Sequence, residues 1–139
     1  MVSIGLYLAR QARRVVGIDA VGQAIDYARR NAAANGIANA SFECAEVEAL
    51  STLTFGAIAP DIVILDPPRA GLHPRLVTTL RQLGSNRLIY VSCNPAALAR
   101  DLRALADMYD IGYVQPVDMF PHTWHIESVV TLTKKESTG

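Results

Sequence analysis

Apolar runs short enough to be strands alternate along this chain with segments of helical period, and that alternation leaves few folds open. Residues 14–19, 40–44, 61–65 and 87–92 carry the apolar runs. Residues 4–12, 22–35, 73–83 and 95–108 carry the helical period, with a shorter helix expected near 46–53. A helix between two strands returns the chain in the same direction, so the pattern predicts an α/β domain on a mostly parallel sheet. Residues 113–119 and 127–133 follow one another without a helix and are expected to form a final pair, with an antiparallel strand at the C-terminal end. Gly36 stops one helix, Pro95 suits the first turn of another, and the prolines at 67 and 68 forbid the strand before them from continuing. One domain over residues 1–133 is the simplest organisation, with a disordered tail over 134–139.

Half of the 139 residues are hydrophobic, enough for one sizeable core. Thirteen basic residues balance thirteen acidic ones, so the chain lacks the positive excess of a domain that holds RNA mainly through phosphates. Its two cysteines, Cys44 and Cys93, stand in unlike settings and have no companion ligands, which argues against a disulfide or a metal site and for a reducing, cytoplasmic setting. No apolar run is long enough to span a bilayer, and no signal-peptide pattern opens the chain, so no membrane partner is expected.

Ligands of open α/β sheets lie beyond the carboxyl ends of the strands, which directs attention to what stands there. Asp19 ends one apolar run, and its carboxylate suits a ribose diol. Glu46 follows another. Asp66 opens D-P-P-R-A-G-L, where two prolines hold a carboxylate rigid at a strand exit. Cys93 sits in S-C-N-P-A-A-L-A-R between a strand and a helix, where the positive end of that helix favours thiolate. Each has a plainer reading: Asp19 as a carboxylate at a helix start, Glu46 as a solvated first-turn glutamate, Asp66 as an Asp-Pro turn, Cys93 as a small buried hydrophobe.

These two motifs, followed by D-M-F-P-H-T-W-H-I-E ending at Glu127, resemble in order the catalytic half of the S-adenosylmethionine-dependent RNA uracil-5-methyltransferases. The resemblance covers nearly the whole chain and implies a Rossmann-like class I methyltransferase domain. It implies that Cys93 adds to the pyrimidine ring, that Glu127 removes the C5 proton, and that Asp66 belongs to the same site. It assigns Asp19, Glu46, Asp66 and Ser3 to the cofactor, S-adenosyl-L-methionine, and no metal. The implied substrate is a uridine in tRNA or rRNA. Sequence alone does not select Glu127, since a glutamate entering a strand is usually solvated.

Some of the family pattern is missing. Uracil-5-methyltransferases place a strand and a glycine-rich loop before the helix that starts here, and Val2 stands where a loop glycine is expected; without that loop, Ser3 and Gly5 are weakly supported. The chain therefore reads as an N-terminally truncated domain lacking a central first strand, with RNA contacts mainly in absent N-terminal domains. Trp124 replaces a glycine common in the family. His122 and His125 are alternative proton-transfer groups, Asn94 is a candidate for fixing the cysteine loop, and Arg69 or Arg100 for meeting phosphate or a helix end. Two other readings compete: an amino-methyltransferase of the D-P-P type, which would carry an aromatic residue at Arg69 and need no cysteine, and an inactive fragment or interaction module.

Overall fold

The computed structural model describes residues 2–46, 59–118, 122 and 126–138. The expected helix near 46–53 lies almost wholly outside them. The single domain expected over residues 1–133 divides by its contacts into two compact units, Met1–Leu50 and Ser51–Gly139, taken in turn below.

The first unit contains helix α1 (Val2–Leu8), a 3-10 turn (Ala9–Gln11), strand β1 (Val15–Asp19), helix α2 (Gly22–Ala34) and strand β2 (Ala40–Cys44). β1 and β2 pair in parallel, from Val15 opposite Ala40 to Asp19 opposite Cys44. The apolar face of α2 presents Ile25, Ala28 and Ala32 at helical spacing, and these bury with Phe42 of β2. α1 packs closely on β1: a Cβ on Gly5 would lie 3.1 Å from Val15 Cγ1. The expected first helix therefore ends earlier, and Asn39 takes up the freed carbonyls, its Nδ2 donating to Ala9 O (2.7 Å) and Ala12 O (2.8 Å). Gly36, at φ +64°, ends α2 as its position in the sequence predicts.

The second unit contains β3 (Ile62–Leu65), α3 (Pro74–Leu83), β4 (Arg87–Ser92), α4 (Pro95–Leu105), β5 (Tyr109–Val117) and β6 (Glu127–Lys134). Its sheet runs β3-β4-β6-β5, with β3 parallel to β4 and the other two pairings antiparallel. Leu88, Tyr90, Val130 and Leu132 are fully buried on the two central strands, and α3 and α4 add Leu76, Leu80, Leu98 and Leu105 to the core. α3 closes on Gly84 in the left-handed region, with Gly84 N donating to Leu80 O.

The last strand pair departs from its expected limits at both ends. β5 begins at Tyr109 because that side chain is buried and its hydroxyl donates to Ser85 O (2.9 Å), a partner distant in sequence. β5 also carries a bulge between Ile111 and Val114, where Tyr113 N donates to Thr131 Oγ1 (2.8 Å) and a Cβ on Gly112 would lie 2.9 Å from that oxygen. Pairing extends past Thr133, since Lys134 N donates to Asn86 O and Lys135 N to Met108 O, both at 2.9 Å. Among the described residues no helix is long and apolar enough to cross a membrane.

If β4 and β6 form the core, Leu88→Ala should cost about 2–5 kcal/mol in urea unfolding, a transfer loss plus a cavity. Ile111→Ala, on the exposed face of β5, should change stability by no more than about 0.5 kcal/mol.

Candidate active site

The register of the second sheet brings three strand ends together. β3 pairs with β4 up to Leu65 opposite Tyr90, so Asp66 leaves the sheet beside the end of β4. β6 pairs with β4 down to Ser128 opposite Ser92, so the next step of that register sets Glu127 beside Cys93. Neighbouring strands lie about 4.8 Å apart, and the three residues therefore occupy one edge of the sheet with Cys93 on the middle strand.

Local hydrogen bonding fixes both loops at this edge. After Asp66 the prolines end the pairing, and Gly71, at φ +85°, donates its N–H to Pro68 O (2.9 Å) to turn the chain. After β4, the Ser92 hydroxyl donates to Asn94 O (3.0 Å) and accepts from Asn94 N (3.1 Å). Asn94 caps α4, its Oδ1 accepting from Ala96 N (3.1 Å) and Ala97 N (3.5 Å), and Pro95 follows in the first turn. Its amide also donates to Arg69 O (2.9 Å). The residue singled out in the sequence as a possible support of the cysteine loop thus ties that loop to the one bearing Asp66.

Cys93 is a free thiol, half-buried, immediately before the cap of α4, whereas Cys44 is free and exposed with its thiol directed at Ala20 O (3.5 Å). Asp66 is exposed by area, but the groups packed round its carboxyl withhold enough water to raise its pKa, and the Glu127 carboxylate raises it further. That influence sets Asp66 within electrostatic reach of Glu127. His122 is exposed, at φ 71°. Trp124 and His125 lie outside the described residues.

The first unit has its own carboxyl edge. Asp19 ends β1, half-buried, and its Oδ1 accepts from Val21 N (2.9 Å) just ahead of α2. Ala45 N donates to Asp19 O (3.1 Å), continuing the pairing toward exposed Glu46. Ser3 is exposed on α1.

One residue of this region was not reached from the sequence. Asp101 is buried (3% exposed) on the apolar face that α4 shares among Ala97, Leu98 and Leu105. A carboxylate on the buried face of an amphipathic helix was the signal that could have found it. Tyr90, whose hydroxyl donates to Asp101 Oδ2 (2.6 Å), has its pKa pushed well up by burial and by that carboxylate.

The chain matches a family model described as tRNA (Uracil-5-)-methyltransferase over residues 3–135. It is 45% identical over 134 residues to an uncharacterized RNA methyltransferase of Bacillus anthracis, covering 96% of this chain and 29% of that protein. A counterpart in Enterococcus faecalis is 47% identical, again with 29% of its length covered. Among solved structures, the Pyrococcus abyssi tRNA (uracil-54, C5)-methyltransferase in complex with S-adenosyl-L-homocysteine superposes with a TM-score of 0.84 at 44% identity, over 94% of this chain and 31% of that one. TrmN from Thermus thermophilus, at 22% identity and a TM-score of 0.70, shares the fold alone. The fold is that of a class I methyltransferase, and the chain spans less than a third of the length of the two bacterial relatives and of the Pyrococcus abyssi enzyme.

Because Glu127 contributes to the raised pKa of Asp66, Glu127→Gln should lower the Asp66 titration midpoint toward the ordinary value of 3.8. Carbon-13 NMR of the side-chain carboxyls reads this directly, and an unmoved midpoint would mean that the two groups do not interact.

Proposed function

The chain belongs to the tRNA (uracil-5-)-methyltransferase family, and from that premise we propose that it methylates C5 of a uridine in tRNA or rRNA, using S-adenosyl-L-methionine and a covalent bond from Cys93. The observation that carries this reading is the position of Cys93 just past the end of β4, between the strand that Asp66 follows and the strand that Glu127 opens.

C5 of uracil is too weak a nucleophile to take a methyl group directly. The Cys93 thiolate adds to C6 of a base turned out of its stack, forming the S–C6 bond and moving an electron pair toward C5 and the C4 carbonyl. S-adenosyl-L-methionine supplies the electrophilic methyl group, which C5 takes up with release of S-adenosyl-L-homocysteine. Glu127 then removes the C5 proton, the C5–C6 double bond re-forms, and Cys93 leaves as thiolate. Asp66, held at the strand exit by Pro67 and Pro68, lines the same edge and serves both base and cofactor.

Asp19 and Glu46 are the residues that would hold the cofactor, through the ribose hydroxyls and beside the adenine. An acidic side chain at the carboxyl end of each strand of a parallel pair offers the hydrogen-bond acceptors that a nucleoside's hydroxyls take. Ser3 joins them on the strength of the family pattern. A free thiol nucleophile suits a reducing cytoplasm. Because the charges balance, most of the grip on RNA belongs to parts of the relatives that this chain does not span.

Intact-protein mass spectrometry after incubation with S-adenosyl-L-methionine and 5-fluorouridine-substituted RNA tests the mechanism, because fluorine at C5 blocks the last elimination. A covalent RNA adduct that requires both cofactor and Cys93, and is absent from Cys93→Ala, is the expected result. Methyl transfer that survives Cys93→Ala would instead support an amino-methyltransferase. With unmodified uridine RNA, Glu127→Gln should slow turnover by about 10²–10⁴-fold and accumulate the adduct.

The charge argument is tested by filter binding. The chain alone should bind RNA with a Kd of about 1 µM or weaker at physiological salt, whereas tight binding with a steep salt dependence would overturn the proposed division of labour.

A further inference from the structure

The loop that follows Asp66 is held by three side chains of the segment that follows Cys93. Asn94 Nδ2 donates to Arg69 O (2.9 Å), Arg100 Nη2 donates to Ala70 O (2.8 Å), and Asp101 Oδ2 accepts from Leu72 N (2.8 Å). Asp101 is the hub of this set. Its Oδ2 also accepts from Tyr90 Oη (2.6 Å) on β4, and its Oδ1 accepts from Arg100 Nε (3.0 Å) and Nη2 (2.8 Å). The fit leaves no slack: a Cβ on Gly71 would lie 2.5 Å from Arg100 Nη2 and 2.5 Å from Asp101 Oδ2.

A carboxylate at 3% exposure is costly to bury, and packing alone would be served as well by an apolar residue on that helix face. What an apolar residue cannot do is accept at once from a loop amide, a strand tyrosine and a guanidinium. We propose that Asp101, acting with Arg100, is a positioning residue that clamps the Asp66 loop to the helix following Cys93 and so sets the thiol and the Asp66 carboxylate in one fixed geometry. The inference rests on the reading of Cys93 as nucleophile and extends it to two residues that touch neither base nor cofactor.

Asparagine tests the hub, since it offers one accepting oxygen where aspartate offers two. Asp101→Asn can keep either the Leu72 and Tyr90 arm or the Arg100 arm, not both. Arg100→Met removes the Ala70 contact and the two donors to Asp101 Oδ1 from a side chain that is 59% exposed, and leaves the Leu72 and Tyr90 arm in place. The readout is the iodoacetamide alkylation rate of Cys93 relative to Cys44 in the same molecule, resolved by peptide mass spectrometry on chains whose folding is confirmed by circular dichroism.

The expected result is a change of about tenfold in the Cys93 to Cys44 ratio in both variants, with Cys44 unmoved. If Asp101→Asn does not fold, Arg100→Met decides. An unchanged ratio in Arg100→Met, or in folded Asp101→Asn, would show that the network only stabilises the core, and would overturn the proposal. Alkylation needs no RNA. Absence of a fluorouridine adduct in the parent chain would therefore count against the methyl-transfer reading, while the alkylation ratio still decides the clamp.

Discussion

Strand β4 carries the arrangement on which the candidate site of the second unit depends. It pairs in parallel with β3 on one side and antiparallel with β6 on the other. The mixture of directions brings the end of β3, the end of β4 and the start of β6 to one edge. An all-parallel arrangement would have sent the start of β6 to the opposite edge, away from Cys93. A one-residue slip in the β4–β6 register would also turn Glu127 to the other face of the sheet. The buried side chains of β6 oppose that slip, because Val130 and Leu132 would leave the core with it and lose their places opposite Tyr90 and Leu88.

The same edge concentrates negative charge, and this has a cost in stability whose sign can be worked out. The folded-state pKa of Asp66 lies above its ordinary value of 3.8, chiefly through burial, with the Glu127 carboxylate adding to the rise. As pH falls, the folded state therefore binds this proton before the unfolded state does. Asp66 weakens the fold at neutral pH, and the penalty fades as pH drops through the raised midpoint. A site kept only for stability would not hold two carboxylates in each other's field. Perturbed groups of this kind are common where chemistry is done.

Much of the architecture was legible in the sequence, because it was written in local physics. Two prolines after Asp66, a capping asparagine before Pro95 and a glycine at 36 act within a few residues of themselves, and the structure has a strand end, a helix start and a helix stop at those places. What could not be read is non-local. Tyr109 opens β5 because of a hydroxyl partner at Ser85, and the β5 bulge depends on Thr131 across the ladder. Asp101 stands 29 residues from its partner Leu72. Glu127 was singled out only through a family pattern, since nothing near it in the chain distinguishes it from a solvated glutamate. The register sets it beside Cys93, because the strand that Glu127 opens runs antiparallel to the one that Cys93 follows.

The loop after Asp66 also bears on which methyl-transfer chemistry the site suits. An amino-methyltransferase of the D-P-P type needs an aromatic platform after the prolines and a prolyl carbonyl free to hold the amino group. Here Pro68 O already accepts from Gly71 N, and the residue in the aromatic position is Arg69, whose carbonyl is bound by Asn94. Asn94, Arg100 and Asp101 tie this loop to the cysteine segment through its backbone. A loop used as an anchor is of little help to amino-group transfer. For the thiol addition to C6 proposed above, an anchored loop would supply rigidity, while Arg69 in the aromatic position tells against the first chemistry.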